Sequence, residues 1–265
     1  MDKEREFAGI ADASEPNAGR VYDYLLGGSH NFEIDRNAAE QVMKVMPSIT
    51  EIVRLIRWFM GEAVYRLSEE GYDKFLDFAS GLPTVDHIHN IVPRGTKVIY
   101  SDIDPVTVAY AQDILGDNQD TRYLHCNAET PEELLNSEVI GEMFGDEQRL
   151  AIGYNGIAWF IPDKKLDHAM SVLYDWADEG SKLFICDVDQ EKELENVGQM
   201  RNLYKQMGQP VYSRTRSEAR DLMKPWRVED PGFMPLEDWL SMEQRVHQET
   251  MEKFGSNLYG GILIK

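Results

Sequence analysis

The chain has 265 residues, 42% of them hydrophobic, with five Trp, twelve Tyr and ten Phe, which excludes a disordered chain and allows a sizeable core. Its 47 acidic against 27 basic residues give a formal net charge of −20. That balance argues against DNA, RNA or an anionic membrane as partner, because phosphate affinity comes largely from Lys and Arg.

Residues 1–15 read as a loosely docked tail. Pro16 sits where a first helical turn tolerates it, so "PNAGRVYDYLL" predicts a short helix stopped by Gly27-Gly28. "EIDRNAAEQVMKVM" predicts a second helix ending before Pro47. Ser48 can cap a third, long one, with Ile49, Ile52, Val53, Ile56, Phe59 and Met60 on one packing face. From residue 73 strands alternate with helices: "DKFLDFA", then "VDHIHNIV"; "TKVIYSDID", then "PVTVAYAQDIL"; "TRYLHCNA", then "TPEELLNSEVIGEMF". The start of "QRLAIGYNGIAWF" is a fourth strand, "DKKLDHAMSVLYDWA" a helix, and "SKLFICDVD" a fifth strand. After Asp189 come a helical stretch, "QEKELENVGQMRNLYKQM", and a polar one with Arg214, Arg216 and Arg220. "WRVEDPGFM" and "NLYGGILIK" are further strands. The βαβ rhythm predicts an α/β fold with a mostly parallel sheet and helices on both faces. The chain divides into an N-terminal helical cap or lid, 1–72, and a sheet domain, 73–265.

Cys126 and Cys186 lack CxxC spacing, so neither a disulfide framework nor a metal site is expected, and both suit buried strands. No signal-peptide core or membrane-length apolar run is present, which points to the cytoplasm.

Ligands of open α/β sheets bind at the carboxyl ends of strands, and several of these ends carry polar or glycine residues. "DFASGLPT" follows the first, with Gly81 allowing close backbone approach. No GxxxxGK[ST] or GxGxxG motif occurs, so neither a phosphate loop nor a dinucleotide fingerprint fits. Asp102, after the second strand, is placed to accept from ribose hydroxyls. Asp104 is either the N-cap of the helix at Pro105 or a second ribose contact. Asn127 and Ala128, after the third, suit an adenine edge, and Asn155-Gly156 opens a loop after the fourth. An adenosine-bearing ligand without a phosphate grip points to S-adenosylmethionine.

The series "DFASGLPT … SDIDP … LHCNAETPEEL … NGIAWFIPD" resembles the motifs of class I methyltransferases. With "PNAGRVYDYLLGGSHNFEIDR", "EDPGFMPLEDW" and "YGGILIK" included, the chain from about Pro16 to Lys265 resembles the S-adenosylmethionine-dependent methyltransferase family first catalogued as a domain of unknown function. The resemblance implies a Rossmann-like sheet with an antiparallel C-terminal strand. It assigns Asp77, Ala79 and Gly81 to the methionine part of the cofactor, Asp102 and Ile103 to the ribose region, and Asn127 and Ala128 to adenine. Asn155 and Gly156 would form the floor beneath the sulfonium. Ala79 stands where the family usually has glycine and fits with a negative φ. Asn127 replaces a common aspartate and would accept from the adenine amino group through its carbonyl oxygen.

The lid stretch supplies the remaining candidates: Tyr22 and His30 as catalytic groups, and Tyr24, Asn31 and Arg36 as cofactor contacts. The implied reaction is in-line methyl transfer to a small-molecule acceptor, in which alignment matters more than a fixed base. Aminocarboxypropyl transfer, cyclisation to azetidine-2-carboxylate and non-catalytic cofactor binding are the alternatives; the first two release methylthioadenosine.

Overall fold

The computed structural model describes residues 15–84, 86–189, 197–241 and 258–265. The N-terminal tail and the start of the helical stretch after Asp189 therefore lie outside the described residues.

Among the described residues three helices precede the first strand. Asn17 caps α1 (Ala18–Leu25), its side-chain oxygen accepting from Gly19 N at 2.7 Å and Arg20 N at 3.2 Å. Pro16 thus precedes the cap instead of occupying the first turn. The chain then turns through Gly27 (φ +87°) and Gly28, where a Cβ would stand 2.1 Å from Asp23 Oδ1. Helix α2 (Glu33–Val45) opens with the Phe32 N–H donating to Asp35 Oδ2 at 2.9 Å. Ser48 holds the cap position of α3 (Ile49–Glu69), although its hydroxyl makes no capping bond.

Strands β1 (Lys74–Asp77), β2 (Lys97–Asp102), β3 (Thr121–His125), β4 (Ala151–Asn155) and β5 (Lys182–Val188) run parallel in the order 3-2-1-4-5. Two connecting helices are shorter than their sequences suggest. The His87 ring accepts from Ile88 N at 3.2 Å, which confines α4 to Ile88–Ile91 ahead of Pro93. Asn136 and Ser137, poor residues for a helix interior, split the next stretch into α6 (Glu132–Leu135) and α7 (Glu138–Phe144). The other two connecting helices are α5 (Pro105–Leu115), after β2, and α8 (Asp163–Trp176), after β4.

Beyond β5 come α9 (Val197–Gln206), α10 (Arg216–Leu222), β6 (Arg227–Val228), β7 (Met234–Pro235), α11 (Leu236–Trp239) and β8 (Leu258–Ile264). "WRVEDPGFM" becomes two short strands because Pro231 lacks an N–H for the ladder and Gly232 turns the chain at φ +119°. β8 fits antiparallel beside β5 from Lys182↔Ile264 to Val188↔Leu258, and β6 and β7 pair with it.

Both sheet faces are apolar, so alternate residues of one strand enter different cores. Leu76, Ile99, Ile152 and Ile185 pack with Leu166, Met170 and Leu173 of α8. Phe75, Val98, Ala151 and Phe184 pack with Leu55, Phe59 and Ala63 of α3. The last helix before the sheet is thereby one layer of its core.

Candidate active site

In a 3-2-1-4-5 sheet the crevice opens at the carboxyl ends of β1 and β4, where the strand order reverses. A cavity of about 570 Å³ lies there, within the range of about 300–1,000 Å³ typical of small-molecule sites.

Asp77, the last residue of β1, is 3% exposed. Its carboxylate occupies the space that a β4 side chain would fill: a Cβ at Gly153 would lie 2.0 Å from Asp77 Oδ1. Burial pushes Asp77 up to about 7 against the opposing pull of the Ser80 hydrogen bond and the Arg57 charge. The loop that follows corrects one expectation, because Ala79 adopts φ +51° rather than a negative value. Left-handed backbone costs a residue with a Cβ about 1–2 kcal/mol, and the surrounding bonds impose it. Ser80 N donates to Ser101 O at 2.8 Å, Gly81 N to Asp102 Oδ2 at 3.1 Å, and the Tyr123 hydroxyl to Gly81 O at 2.6 Å.

Asp102 ends β2 and is raised to about 6 by burial, opposed by N–H bonds from Asp104 and Gly81. Asp104 caps α5, accepting from Thr107 N at 3.1 Å, and also takes Nη1 of Arg20 at 2.7 Å. Next to Asp102, Ile103 is 54% exposed and lines the cavity as an apolar plate. Asn127 Oδ1 accepts from Glu129 N at 2.9 Å. That bond fixes the amide while leaving the carbonyl oxygen a second lone pair and the NH2 group its donors. Tyr154 holds the same loop by donating to Ala128 O at 2.6 Å. Asn155 Nδ2 donates to Ile56 O of α3 at 3.3 Å, whereas its Oδ1 is buried and without a partner among the described residues. Gly156 (φ +76°) lets α3 approach, since a Cβ would meet Ile56 Cγ2 at 3.4 Å.

The candidates from the N-terminal helices divide. Tyr22 lines the cavity with its ring 5.6 Å from the Arg57 guanidinium. Its hydroxyl donates to Val53 O at 3.0 Å, and burial raises its pKa. Tyr24, His30, Asn31 and Arg36 do not line the cavity. Side chains two apart on a helix point about 200° from each other; Tyr24, like Tyr22, packs against the cluster of Val21, Val42, Val53 and Met200 but does not reach the cavity. His30 N donates to Asp23 Oδ2 at 2.9 Å, and its ring stands edge-on to Tyr110 at 5.9 Å. Asn31 donates to Asp23 and to Gly28 O, both at 3.0 Å, and Arg36 Nη1 donates to Asn31 O at 2.8 Å. These groups hold the Gly27-Gly28 turn in shape.

Arg20, 1% exposed, ties that stretch to the sheet. Its Nε donates to Asp35 at 2.8 Å and its Nη1 to Asp104 at 2.7 Å. Arg214 does the same for the loop after β4, donating to Asp163 at 2.8 Å and to Ala158 O at 2.9 Å, with Ile161 O a further acceptor.

Several cavity residues escaped the sequence reading. Asn17 and Gly19 bring the start of α1 to the Gly81 loop. Arg57 lines the cavity, and its signal was legible as a cation within the 53-56-57-60 face of α3. Met200, Arg201 and Tyr204 of α9, with the loop 208–213, form a further wall. Nothing in their local sequence marks them.

The chain matches the family model for S-adenosyl methyltransferase over residues 5–265. A solved protein of Thermobifida fusca YX, provisionally called a methyltransferase, is 27% identical over 96% of each chain, with a TM-score of 0.87. A DUF574 family protein of Streptomyces avermitilis MA-4680 is 23% identical over 96% of this chain and 99% of that one, at a TM-score of 0.84. The plantazolicin methyltransferase BamL, solved with a triazolic desmethylPZN analog and SAH, shares the fold at 14% identity over 94% and 96%, with a TM-score of 0.54. No curated protein matches the sequence. Among the described residues no helix is long and apolar enough to cross a membrane.

Proposed function

Because the chain belongs to the S-adenosyl methyltransferase family, we propose that it passes the methyl group of S-adenosylmethionine in line to a small-molecule acceptor held in the cavity beside α3 and α9. The residues present suit the cofactor. Asp102 offers a buried carboxylate for the ribose hydroxyls, Ile103 and Ala128 offer apolar surface for adenine, and the Asn127 NH2 group offers a donor for a ring nitrogen. Asp77 and the Ala79–Gly81 loop suit the ammonium end, Arg57 the carboxylate. Asn155, with its unpartnered Oδ1, and Gly156 would lie under the sulfonium. Bound there, the cofactor supplies the electrophilic methyl group.

This chain's own residues then align the acceptor and exclude water. Among the described residues no histidine lines the cavity, and the Tyr22 hydroxyl is committed to Val53. Tyr22 acts in this reading as a wall that steers the acceptor, and His30 as a support of the lid turn.

The observation that carries the proposal is the reach of the cavity. It continues beyond the sheet-edge residues into an apolar chamber bounded by Ile49, Val53, Phe160, Met200 and Tyr204. Methyl transfer needs such room, whereas internal cyclisation does not. Product analysis decides the matter: S-adenosylhomocysteine formed with an acceptor library is the expected result. Methylthioadenosine as the cofactor product would overturn it.

A further inference from the structure

Charge is divided across the cavity. Its three carboxylates, Asp77, Asp102 and Glu129, belong to the sheet edge. The wall made by α9 and the loop 208–213 carries no acid among the described residues, and it presents Arg201.

Arg201 is an unusual residue in a chain of net charge −20. No carboxylate pairs with it among the described residues. Its Nη2 donates to Ser213 Oγ at 2.6 Å, and its Nε is buried without a partner. Gln209, from the same wall, also keeps a buried Oε1 without a partner. Desolvated and unpaired polar groups of this kind are costly, and an anion on the ligand relieves that cost. The surroundings are apolar and aromatic. The Tyr204 and Phe160 rings stand 5.4 Å apart, Met200 lies one residue before Arg201, and Tyr212 is fixed by its N–H to Trp159 O at 2.7 Å. Burial pushes the Tyr204 phenol up to about 12, so it stays protonated and does not compete with an anion.

We infer that the acceptor is an aromatic carboxylate: Arg201 takes its anion, Gln209 accepts from a neighbouring hydroxyl or N–H, and the Phe160–Tyr204 wall packs its ring. This names the substrate class of the methyl-transfer reading and rests on it. A single guanidinium assisted by one hydroxyl suits a monoanion and its planar geometry.

Calorimetric titration of the full chain, with and without saturating S-adenosylhomocysteine, tests it. The probes are 3-hydroxy-2-naphthoate, its methyl ester and 2-naphthyl phosphate. A charge-assisted bond predicts that the acid binds the wild type about tenfold or more tighter than the ester. In R201Q that preference falls to within about twofold, and in R201K it is partly restored. Affinity for S-adenosylhomocysteine stays within about twofold in both variants, which also reports that they fold. Equal binding of acid and ester, no binding of the acid, a preference that survives in R201Q, or tighter binding of the phosphate each overturns the inference. Failure of the cofactor reading is separate: S-adenosylhomocysteine then does not bind, and the cofactor-free titrations still measure the acid preference.

Discussion

Ala79 holds φ +51° within a loop pinned by Ser101, Asp102 and Tyr123. Glycine would adopt that backbone freely, at some cost in unfolded-chain entropy. Ala79→Gly is therefore expected to stabilise the fold by about 0.5–1 kcal/mol net, or about 1–3 °C in Tm, measured by thermal unfolding without ligand. The two cavity carboxylates make a second prediction. Burial raises Asp77 to about 7 and Asp102 to about 6, so the free protein holds their protons well above the ordinary carboxylate range. A cationic, hydroxyl-bearing ligand favours the ionised forms. Cofactor affinity is expected to rise with pH from about 5 to about 8, with proton release. Calorimetry in two buffers of different ionisation enthalpy reads both; affinity independent of pH would remove Asp77 and Asp102 from the site. Asp102→Ala is expected to weaken binding about tenfold or more.

At the scale of elements, α1 is docked by one buried arginine. Arg20 joins Asp35, at the start of α2, to Asp104, at the start of α5, and Asp104 N in turn donates to Asp102 Oδ1 at 2.9 Å. Removing one partner of a buried ion network leaves charge uncompensated, at a cost of about 3–5 kcal/mol. Arg20→Met is expected to lower the urea midpoint accordingly and to weaken cofactor binding beyond what the stability loss explains. Unaltered cofactor affinity in the folded variant would uncouple α1 from the Asp102 loop.

Across the whole molecule the buried His87 and the buried carboxylates pull stability in opposite directions as pH falls. Its Nδ1 accepts from Ile88 N at 3.2 Å, and Nε2 lies 3.0 Å from Ser80 O, an arrangement that requires the neutral ring with its proton on Nε2. Burial holds its pKa well below 6.5. The unfolded chain therefore takes up a proton first, so the contribution of His87 is complete above about pH 6.5 and is lost as pH falls. Asp77, Asp102 and Asp187 act oppositely: burial raises their folded values to about 7, 6 and 7, which makes stability fall as pH rises from about 4 to about 7. The effect of His87 is isolated by difference: the stability of His87→Gln relative to the wild type should rise as pH falls from about 6.5 to 5, as read by denaturant titration of both proteins at each pH.

The alternation of apolar strands with amphipathic helices was enough to place five strands along the chain and to call for a mostly parallel sheet. Parallel strands joined by right-handed crossovers bring all their carboxyl ends to one edge, so "DFASGLPT", "SDIDP", "HCNA" and "YNG" had to meet wherever the sheet formed. Asp77, Asp102, Asn127 and Asn155 were legible for that reason: each ends a strand or closely follows one. The N-terminal helical region was legible only as a stretch. Tyr22 and Tyr24 are chemically equivalent in sequence, and only the packing of α1 against α3 sends one to the cavity and the other away. The sign of φ at Ala79 was likewise decided by contacts from β2 and β3. Arg201 and Gln209 are distant in sequence from every strand-end motif, and the docking of α9 on the lid helices brings them to the same cavity. Local pattern determined the sheet and its edge because strand periodicity and crossover handedness are local rules. The far wall was left to the tertiary structure because side-chain direction depends on which non-neighbouring elements bury each face.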